Sequence, residues 1–282
     1  MNDGKIPVSV LVLTRNEAPR IKRCLAALHE FDEIIVIDSA STDNTVALAK
    51  SAGARVENFI WNGRYPKKRQ WCLDNLPLKH ERVFFVDADE VVTAALADEI
   101  RAAPFNCAGY FVKGLYVMGG KVLEHGLHNN KIALLDRTMM TFPVVDDLNL
   151  PGMGEIEGHY QPVLKPEFGT AKIGRLSVPL LHYAHDDPAG WEERHRRYAD
   201  WERGMNARHV WPTDPVAWRQ ALKKLFRALP GRPLWAFLHC YILKAGFIDG
   251  KQGFTMAAGR YRYYRMISKY QVGSPHHENP AK

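Results

Sequence analysis

The chain has 282 residues, of which 46% are hydrophobic and 24% charged, a balance that excludes global disorder and predicts one large domain or two unequal ones. Its net charge of +7 is unevenly spread: residues 1–190 hold 21 Lys/Arg against 24 Asp/Glu, residues 191–282 hold 17 against 7. An acidic front rules against a nucleic-acid protein, and a basic back rich in Trp, Tyr and Phe suits an anionic membrane surface or, failing that, a solvated basic helical domain.

The front half alternates strand and helix. Val8–Leu13 is an apolar, β-branched run, as in a buried parallel strand, and Thr14-Arg15-Asn16-Glu17 breaks it. Ile21, Leu25 and Leu28 then recur at helical spacing behind Pro19. Glu33–Ile37 is a second strand ending at Asp38; a polar turn, Ser39–Asp43, leads into a helix that stops at Gly53. Ala54–Glu57 is a third strand, Lys67–Leu76 a basic helix, and Arg82–Val86 a fourth strand ending in Asp87-Ala88-Asp89-Glu90. Gly109–Leu115 and Lys131–Arg137 are further strands around a loop, 118–130, that holds Glu124, His125 and His128 and suits an acceptor pocket. This order predicts an α/β fold with a mainly parallel sheet, helices on both faces, and ligands beyond the C-terminal strand ends. Thr14 to Glu17, Asp38, and Asp87 to Glu90 are thereby delivered to one rim.

Behind the sheet, Trp191–Asn206 reads as a charged helix. Trp218, Leu222, Leu225, Phe226 and Leu229 form an apolar stripe beside Arg219, Lys223, Lys224 and Arg227, and Pro230–Pro233 ends that helix. The apolar stretch Pro233–Leu243, eleven residues without a charge, is too short to span a bilayer. The expectation is therefore a catalytic domain over 1–190, a basic helical appendage over 191–273 on the inner face of the cytoplasmic membrane, and a disordered tail over 274–282. Cys24, Cys72, Cys107 and Cys240 form no C-x-x-C pair, which fits a reducing compartment, and the N-terminus shows no signal-peptide pattern, which fits a cytoplasmic protein.

The chemistry lies in the strand ends. Two carboxylates one residue apart, directly after four buried apolar positions, suit Mg²⁺ or Mn²⁺, which take one or two carboxylates and complete their shell with substrate phosphates. The sequence has no P-loop and no G-x-G-x-x-G after a strand. Phosphates would therefore be neutralised by metal and by Lys67, Lys68 and Arg69, unless those three are a solvated helix face.

Taken together, Val10–Glu17, Asp38-Ser39-Ala40-Ser41-Thr42-Asp43 and Asp87-Ala88-Asp89-Glu90 resemble the signature series of the family-2 glycosyltransferases. Pro179–Tyr183 and Tyr241–Gly250 resemble two elements of the lipopolysaccharide-core β-1,4-glucosyltransferase subgroup, so the resemblance runs over about residues 6–270. It implies a GT-A fold, a nucleotide-sugar donor, a divalent metal and an inverting transfer to a glycan or lipid-linked glycan in cell-envelope polysaccharide or lipopolysaccharide synthesis. Position by position it implies that Asp38 contacts the base, that Thr14, Asn16 and Glu17 line the base and ribose pocket, and that Lys68, Arg69 and Asp87 serve the donor. It implies Asp87, Asp89 and His182 as metal ligands. For the catalytic base the resemblance is weaker: the Gly154–Pro162 stretch offers Glu157 first and Glu155 second, with Asp146 or Asp147 third. The alternatives to be separated are a nucleotidyltransferase of similar fold and a non-catalytic membrane-bound glycan- or nucleotide-binding protein.

Overall fold

A computed structural model describes residues 4–145, 148, 160–184, 188–211, 214 and 216–268. These fall into two compact units: residues 4–124, 128–184 and 214–220, and residues 125–127, 188–211 and 221–268.

The first unit is built on strands β1 (Ile6–Thr14), β2 (Phe31–Asp38), β3 (Arg55–Asn58), β4 (Arg82–Asp87), β5 (Glu90–Val91), β6 (Gly109–Met118), β7 (Lys121–Val122), β8 (Asn129–Asp136), β9 (Met140–Thr141), β10 (Val163–Leu164), β11 (Ile173–Arg175) and β12 (Leu180–His182). Helices α1 (Ile21–Ala26), α2 (Thr45–Ser51), α3 (Lys68–Asn75) and α4 (Ala94–Ala102) punctuate them. The main sheet runs β3-β2-β1-β4-β8-β6-β12-β5, with β7 and β11 also on β6. From β3 to β4 every pairing is parallel, as the alternating strands and helices require, because parallel neighbours need a crossover between them. At β8 the sheet turns mixed. β6 and β8 lie antiparallel, β8 also lies antiparallel to β4, and β12 lies parallel to β6. The cause is local: β6 is followed by a tight turn, with Gly119 and Gly120 both at positive φ, which sends the chain straight back as β7 onto β6.

The central strands are apolar on both faces. Val10, Val12, Phe84 and Val86 pack with Ile21, Leu25 and Leu28 of α1 and its extension, and with Leu96 and Ile100 of α4. Fully buried strands of this kind fix their register, since a one-residue slip would turn the apolar set over. That register places the site.

The second unit is helical: α5 (Pro188–Arg208), α6 (Ala217–Ala228, from Ala221 on), α7 (Arg232–Leu238), a π turn (His239–Leu243), a 3₁₀ turn (Gly246–Asp249) and α8 (Lys251–Ser268). Its small core joins Ala199, Ala236, Tyr264 and Ile267, with Phe226, Tyr263 and Met266 packed against them. The stripe expected on α6 is real but divided. Trp218, Leu222 and Leu225 are exposed, whereas Phe226 turns in, its ring 5.2 Å from that of Tyr264. Two of the basic residues expected beside the stripe are engaged within the protein. Arg219 pairs with Asp214 at 3.4 Å, and the Arg227 guanidinium lies 3.7 Å from the centre of the Trp211 ring. Lys223 and Lys224 remain exposed. Among the described residues no helix is long and apolar enough to cross a membrane.

Candidate active site

The register of three parallel strands assembles the rim. Thr14 stands opposite Asp38, and Leu13 opposite Asp87, so the last residues of β1, β2 and β4 lie side by side at the C-terminal edge. Beyond them the chain turns through Ala88 and Asp89 into β5. There Glu90 pairs with His182 of β12, and the Tyr183 N–H donates to the Asp89 carbonyl at 2.8 Å.

On the β1–β2 side the expected pocket residues bond to one another. The Thr14 hydroxyl donates to Asp38 Oδ1 at 3.1 Å, and Ser41 donates to the two Asp38 oxygens through its hydroxyl and its N–H. Asn16, at φ 57°, accepts the Thr42 N–H on its side-chain oxygen at 2.8 Å, while its own N–H reaches the Ser41 hydroxyl. Asn is among the few non-glycine residues that tolerate this left-handed backbone. The Glu17 N–H donates to Thr45, and the Glu17 carboxylate accepts from Arg20 at 2.6 Å. These bonds lock the 14–20 turn to the 38–45 turn.

On the β4 side the site is a charge cluster. Arg69 donates to Asp87 Oδ1 at 2.8 Å. Lys131, at the start of β8, donates to Asp87 Oδ2 and to Glu90 Oε2, each at 2.7 Å. Glu90 also accepts the Asp87 N–H at 2.9 Å. Burial alone would raise the Asp87 carboxyl, but the Lys131 and Arg69 cations outweigh it and hold it well below the usual carboxylate range. Glu90, fully buried, goes the other way: desolvation pushes its carboxyl up despite Lys131. Lys131 is buried too, which favours the neutral amine, yet Asp87 and Glu90 hold it charged. Sequence reading missed Lys131. Its signal was a lone Lys opening the buried run Ile132–Leu135.

Lys67, Lys68 and Arg69 are not a solvated face. All three are buried, and Lys68 Nζ donates to the Thr14 carbonyl at 3.4 Å. The neighbouring Gln70 accepts the Phe142 N–H and the Thr141 hydroxyl through Oε1. The start of α3 is thereby fixed with Lys68 and Arg69 turned toward the rim, while the Lys67 ammonium lies 5.9 Å from the centre of the Trp61 ring.

Asp89 and His182 face each other, Oδ2 to Nε2, at 3.4 Å. Burial pushes His182 down and Asp89 up, but each charge outweighs that for its partner, so the histidine stays raised and the carboxyl lowered. The His182 ring stacks on Tyr116, centroids 5.0 Å apart. Its Nδ1 is buried with no hydrogen-bond partner among the described residues, and Glu90 Oε1 is in the same position. No cluster of three or more His, Cys, Asp or Glu among the described residues is placed to hold a metal. Asp89 and His182 nonetheless fit Mg²⁺ or Mn²⁺ as two protein donors, the complement that such ions take when phosphate oxygens supply the rest. Asp87 has one cation on each oxygen, and each oxygen keeps a second lone pair with which it could join them.

Glu155, Glu157, Asp146 and Asp147 lie outside the described residues. Of the loop histidines, His125 belongs to the helical unit, where its N–H donates to Asp249 at 2.9 Å. His128 lies within 3.0 Å of the Glu124 carbonyl through Nε2.

Comparison with known proteins agrees with this geometry. Residues 9–141 match the sequence model of Glycosyl transferase family 2. A lipopolysaccharide core biosynthesis glycosyltransferase, LpsC of Rhizobium meliloti, is 32% identical over 143 residues, 47% of this chain and 52% of that protein. An uncharacterized glycosyltransferase of Rickettsia bellii is 38% identical over 94 residues, 33% of this chain. The match spans about a third of the length of such Rickettsia relatives. Among solved structures, a mannosyltransferase of Pyrobaculum calidifontis, in complex with GDP-Man and Mn²⁺, superposes with a TM-score of 0.52. It is 16% identical and covers 94% of this chain and 86% of its own. Residues 9–141 thus resemble Glycosyl transferase family 2, the fold is that of the GT-A glycosyltransferases, and the chain is similar to a glycosyltransferase of lipopolysaccharide-core synthesis.

Proposed function

We propose that the chain transfers a hexose from a nucleoside-diphosphate sugar, with inversion, to a glycan or lipid-linked glycan of the cell envelope, working at the inner face of the cytoplasmic membrane. One observation supports the reading. The strand register brings an internally hydrogen-bonded group (Thr14, Asn16, Asp38) beside the Asp89–His182 pair and the buried cations Lys68, Arg69 and Lys131, a combination suited to a nucleotide, a divalent ion and a diphosphate. A sugar diphosphate needs those three things from a protein without a glycine cradle.

The Thr14–Asp38–Ser41 network offers acceptors and donors suited to a base and ribose. Lys68 and Arg69, both buried beside the rim, would offer fixed positive charge to a leaving diphosphate. Such pre-oriented charge costs no reorganisation when the bond breaks. Asp89 and His182 would hold a divalent ion, which would supply Lewis-acid stabilisation to the same leaving group. Inversion requires a carboxylate to take the acceptor hydroxyl's proton as it attacks the anomeric carbon from the opposite face. Glu157, which directly precedes the Gly158-His159 pair, is the proposed base, and Glu155 its alternate. On the membrane side, Trp218, Leu222 and Leu225 of α6 present an exposed apolar row with Lys223 and Lys224 next to it.

The test is a panel of nucleoside-diphosphate sugars incubated with the purified protein and Mn²⁺, with and without EDTA. Release of nucleoside diphosphate from one donor, abolished by EDTA, is the expected result. A protein that binds a donor yet never turns it over, with any acceptor or with water, would be a binding protein rather than a transferase.

A further inference from the structure

The stretch between α7 and α8 leaves several apolar side chains in solvent. The rings of Phe237, Tyr241, Phe247 and Phe254 form one connected cluster, with centroids 5.3 Å (237–241), 5.7 Å (241–254), 5.9 Å (237–254) and 6.3 Å (241–247) apart. Phe247 and Phe254 are nevertheless 51% and 50% exposed, and Leu243 and Ile248 beside them 74% and 55%. Isolated exposed apolar residues are ordinary; a connected aromatic cluster flanked by aliphatic residues marks an interaction surface.

This projection is held rigidly. The Gly126 N–H donates to the Lys244 carbonyl at 2.8 Å, and the His125 N–H to the Asp249 carboxylate at 2.9 Å, so residues 125–127 tie down both ends of the turn. Gly246 and Gly253 allow the turn to close on itself. A Cβ on Gly253 would stand 1.8 Å from the Gly246 carbonyl oxygen, and one on Gly246 would stand 2.7 Å from that of Cys240.

Charge selects the partner. From Arg232 to Ser268 the sequence holds six Lys/Arg and one acid, Asp249. That acid is buried and bonded to His125, while Lys244 and Lys251 are exposed at the two ends of the apolar turn. A second copy of the chain packed on this face about a two-fold axis would bring like charges together. An anionic lipid surface meets both features at once: half-exposed aromatic and aliphatic side chains enter the headgroup–acyl boundary while the flanking ammonium groups stay at headgroup level.

We propose that the 239–254 turn is a membrane-insertion element, with Leu243, Phe247, Ile248 and Phe254 entering the interface of an anionic bilayer and Lys244 and Lys251 contacting its headgroups. The proposal rests on the membrane reading above and gives it a second anchor, separate from α6.

The experiment is co-sedimentation with vesicles of phosphatidylcholine containing phosphatidylglycerol, and with vesicles of phosphatidylcholine alone. It uses wild type, Leu243→Glu/Ile248→Glu, and Lys244→Gln/Lys251→Gln, with circular dichroism to establish that each variant is folded. Wild type should bind the anionic vesicles, and Leu243→Glu/Ile248→Glu should lower its partition by about tenfold or more, since two apolar side chains no longer enter lipid. Lys244→Gln/Lys251→Gln should lower it by about tenfold as two headgroup contacts go, and chiefly on anionic vesicles. Hydrolysis of a soluble donor should be unchanged in both. If wild type binds and the Glu variant binds equally well, this inference fails and the α6 reading stands. If wild type does not bind anionic vesicles, both fail. If instead wild type self-associates in sedimentation equilibrium, ignores vesicles, and the Glu variant is monomeric, the surface belongs to a second copy and the proposal is overturned.

Discussion

Lys131→Met isolates what the buried cation does. Its ammonium sits 2.7 Å from both Asp87 and Glu90, and the Lys131 and Glu90 side chains are 7% and 0% exposed. Methionine keeps most of the volume and removes the charge. Asp87 retains Arg69 and loses only one of its two cations, but Glu90 is left with the Asp87 N–H as its one donor among the bonds described. Leaving a buried carboxylate without its counter-charge costs about 3–5 kcal/mol. Glu90 escapes part of that by keeping its proton, so its carboxyl, already raised by burial, rises further. The sign follows: a group whose folded pKa exceeds its unfolded value adds no penalty at pH below the unfolded value. The penalty grows as pH climbs toward the folded value. The variant should therefore be close to wild type in urea unfolding at about pH 4.5, and should lose about 3 kcal/mol or more by about pH 8. Adding Glu90→Gln to Lys131→Met should restore much of the loss at the higher pH, because no bare charge remains. Equal urea midpoints for wild type and Lys131→Met at both pH values, or a double variant no better than the single one, would refute the counter-ion role.

Asp89→Asn should cut metal-dependent donor turnover by at least about 10² while leaving the melting temperature near wild type, because the carboxylate sits at a rim rather than in the core; turnover near wild type in the presence of EDTA would remove the metal from the mechanism. Glu157→Gln should lower kcat by at least about 10² with donor KM kept, as expected of a group that acts on the transferring proton. If Glu155→Gln is the inactive variant instead, the base lies two residues earlier, and if both stay active Asp146 and Asp147 come next. Gly253→Ala should destabilise the helical unit by about 1–3 kcal/mol, the usual range for overpacking, or more because the clash is with backbone. A thermal melt matching wild type would mean that the α8 start does not pack on Gly246 as described.

Much of this was readable from the residues alone, and the rest depended on contacts between distant parts of the chain. Strands β1, β2 and β4 announce themselves as apolar runs ended by polar residues, and parallel order follows from the helices between them; Thr14, Asp38 and Asp87 are neighbours for that reason. What a linear pattern could not give was which cations serve which acids. Lys131 lies 44 positions from Asp87 and meets it only because β8 inserts between β4 and β6, a pairing that no local periodicity encodes. Lys67 to Arg69 read equally well as a wet helix face, since a basic cluster gives no sign of burial until its carboxylate partners are placed. The α7–α8 turn was open for a different reason: Leu234–Leu243 suits a core helix and a membrane-facing one equally well, and only the fold shows that Leu234, Trp235, Ile242 and Leu243, with Phe247 and Ile248 beyond them, are exposed.

The pairing of His182 with Glu90, together with the Tyr183-to-Asp89 main-chain bond, has a consequence for how this site can change over evolutionary time. The spacing between the histidine and the acidic turn is written in peptide groups and not in side chains, so the main-chain frame is indifferent to which donors it carries. Point substitutions at Asp89 or His182 can exchange one donor for another and so retune which ion is preferred without redrawing the frame. An insertion or deletion of a single residue between β11 and β12 would instead swing His182 to the opposite side of the sheet and bring a leucine or tyrosine into its place. Length in that connector should therefore be held far more strictly than composition at the two donor positions.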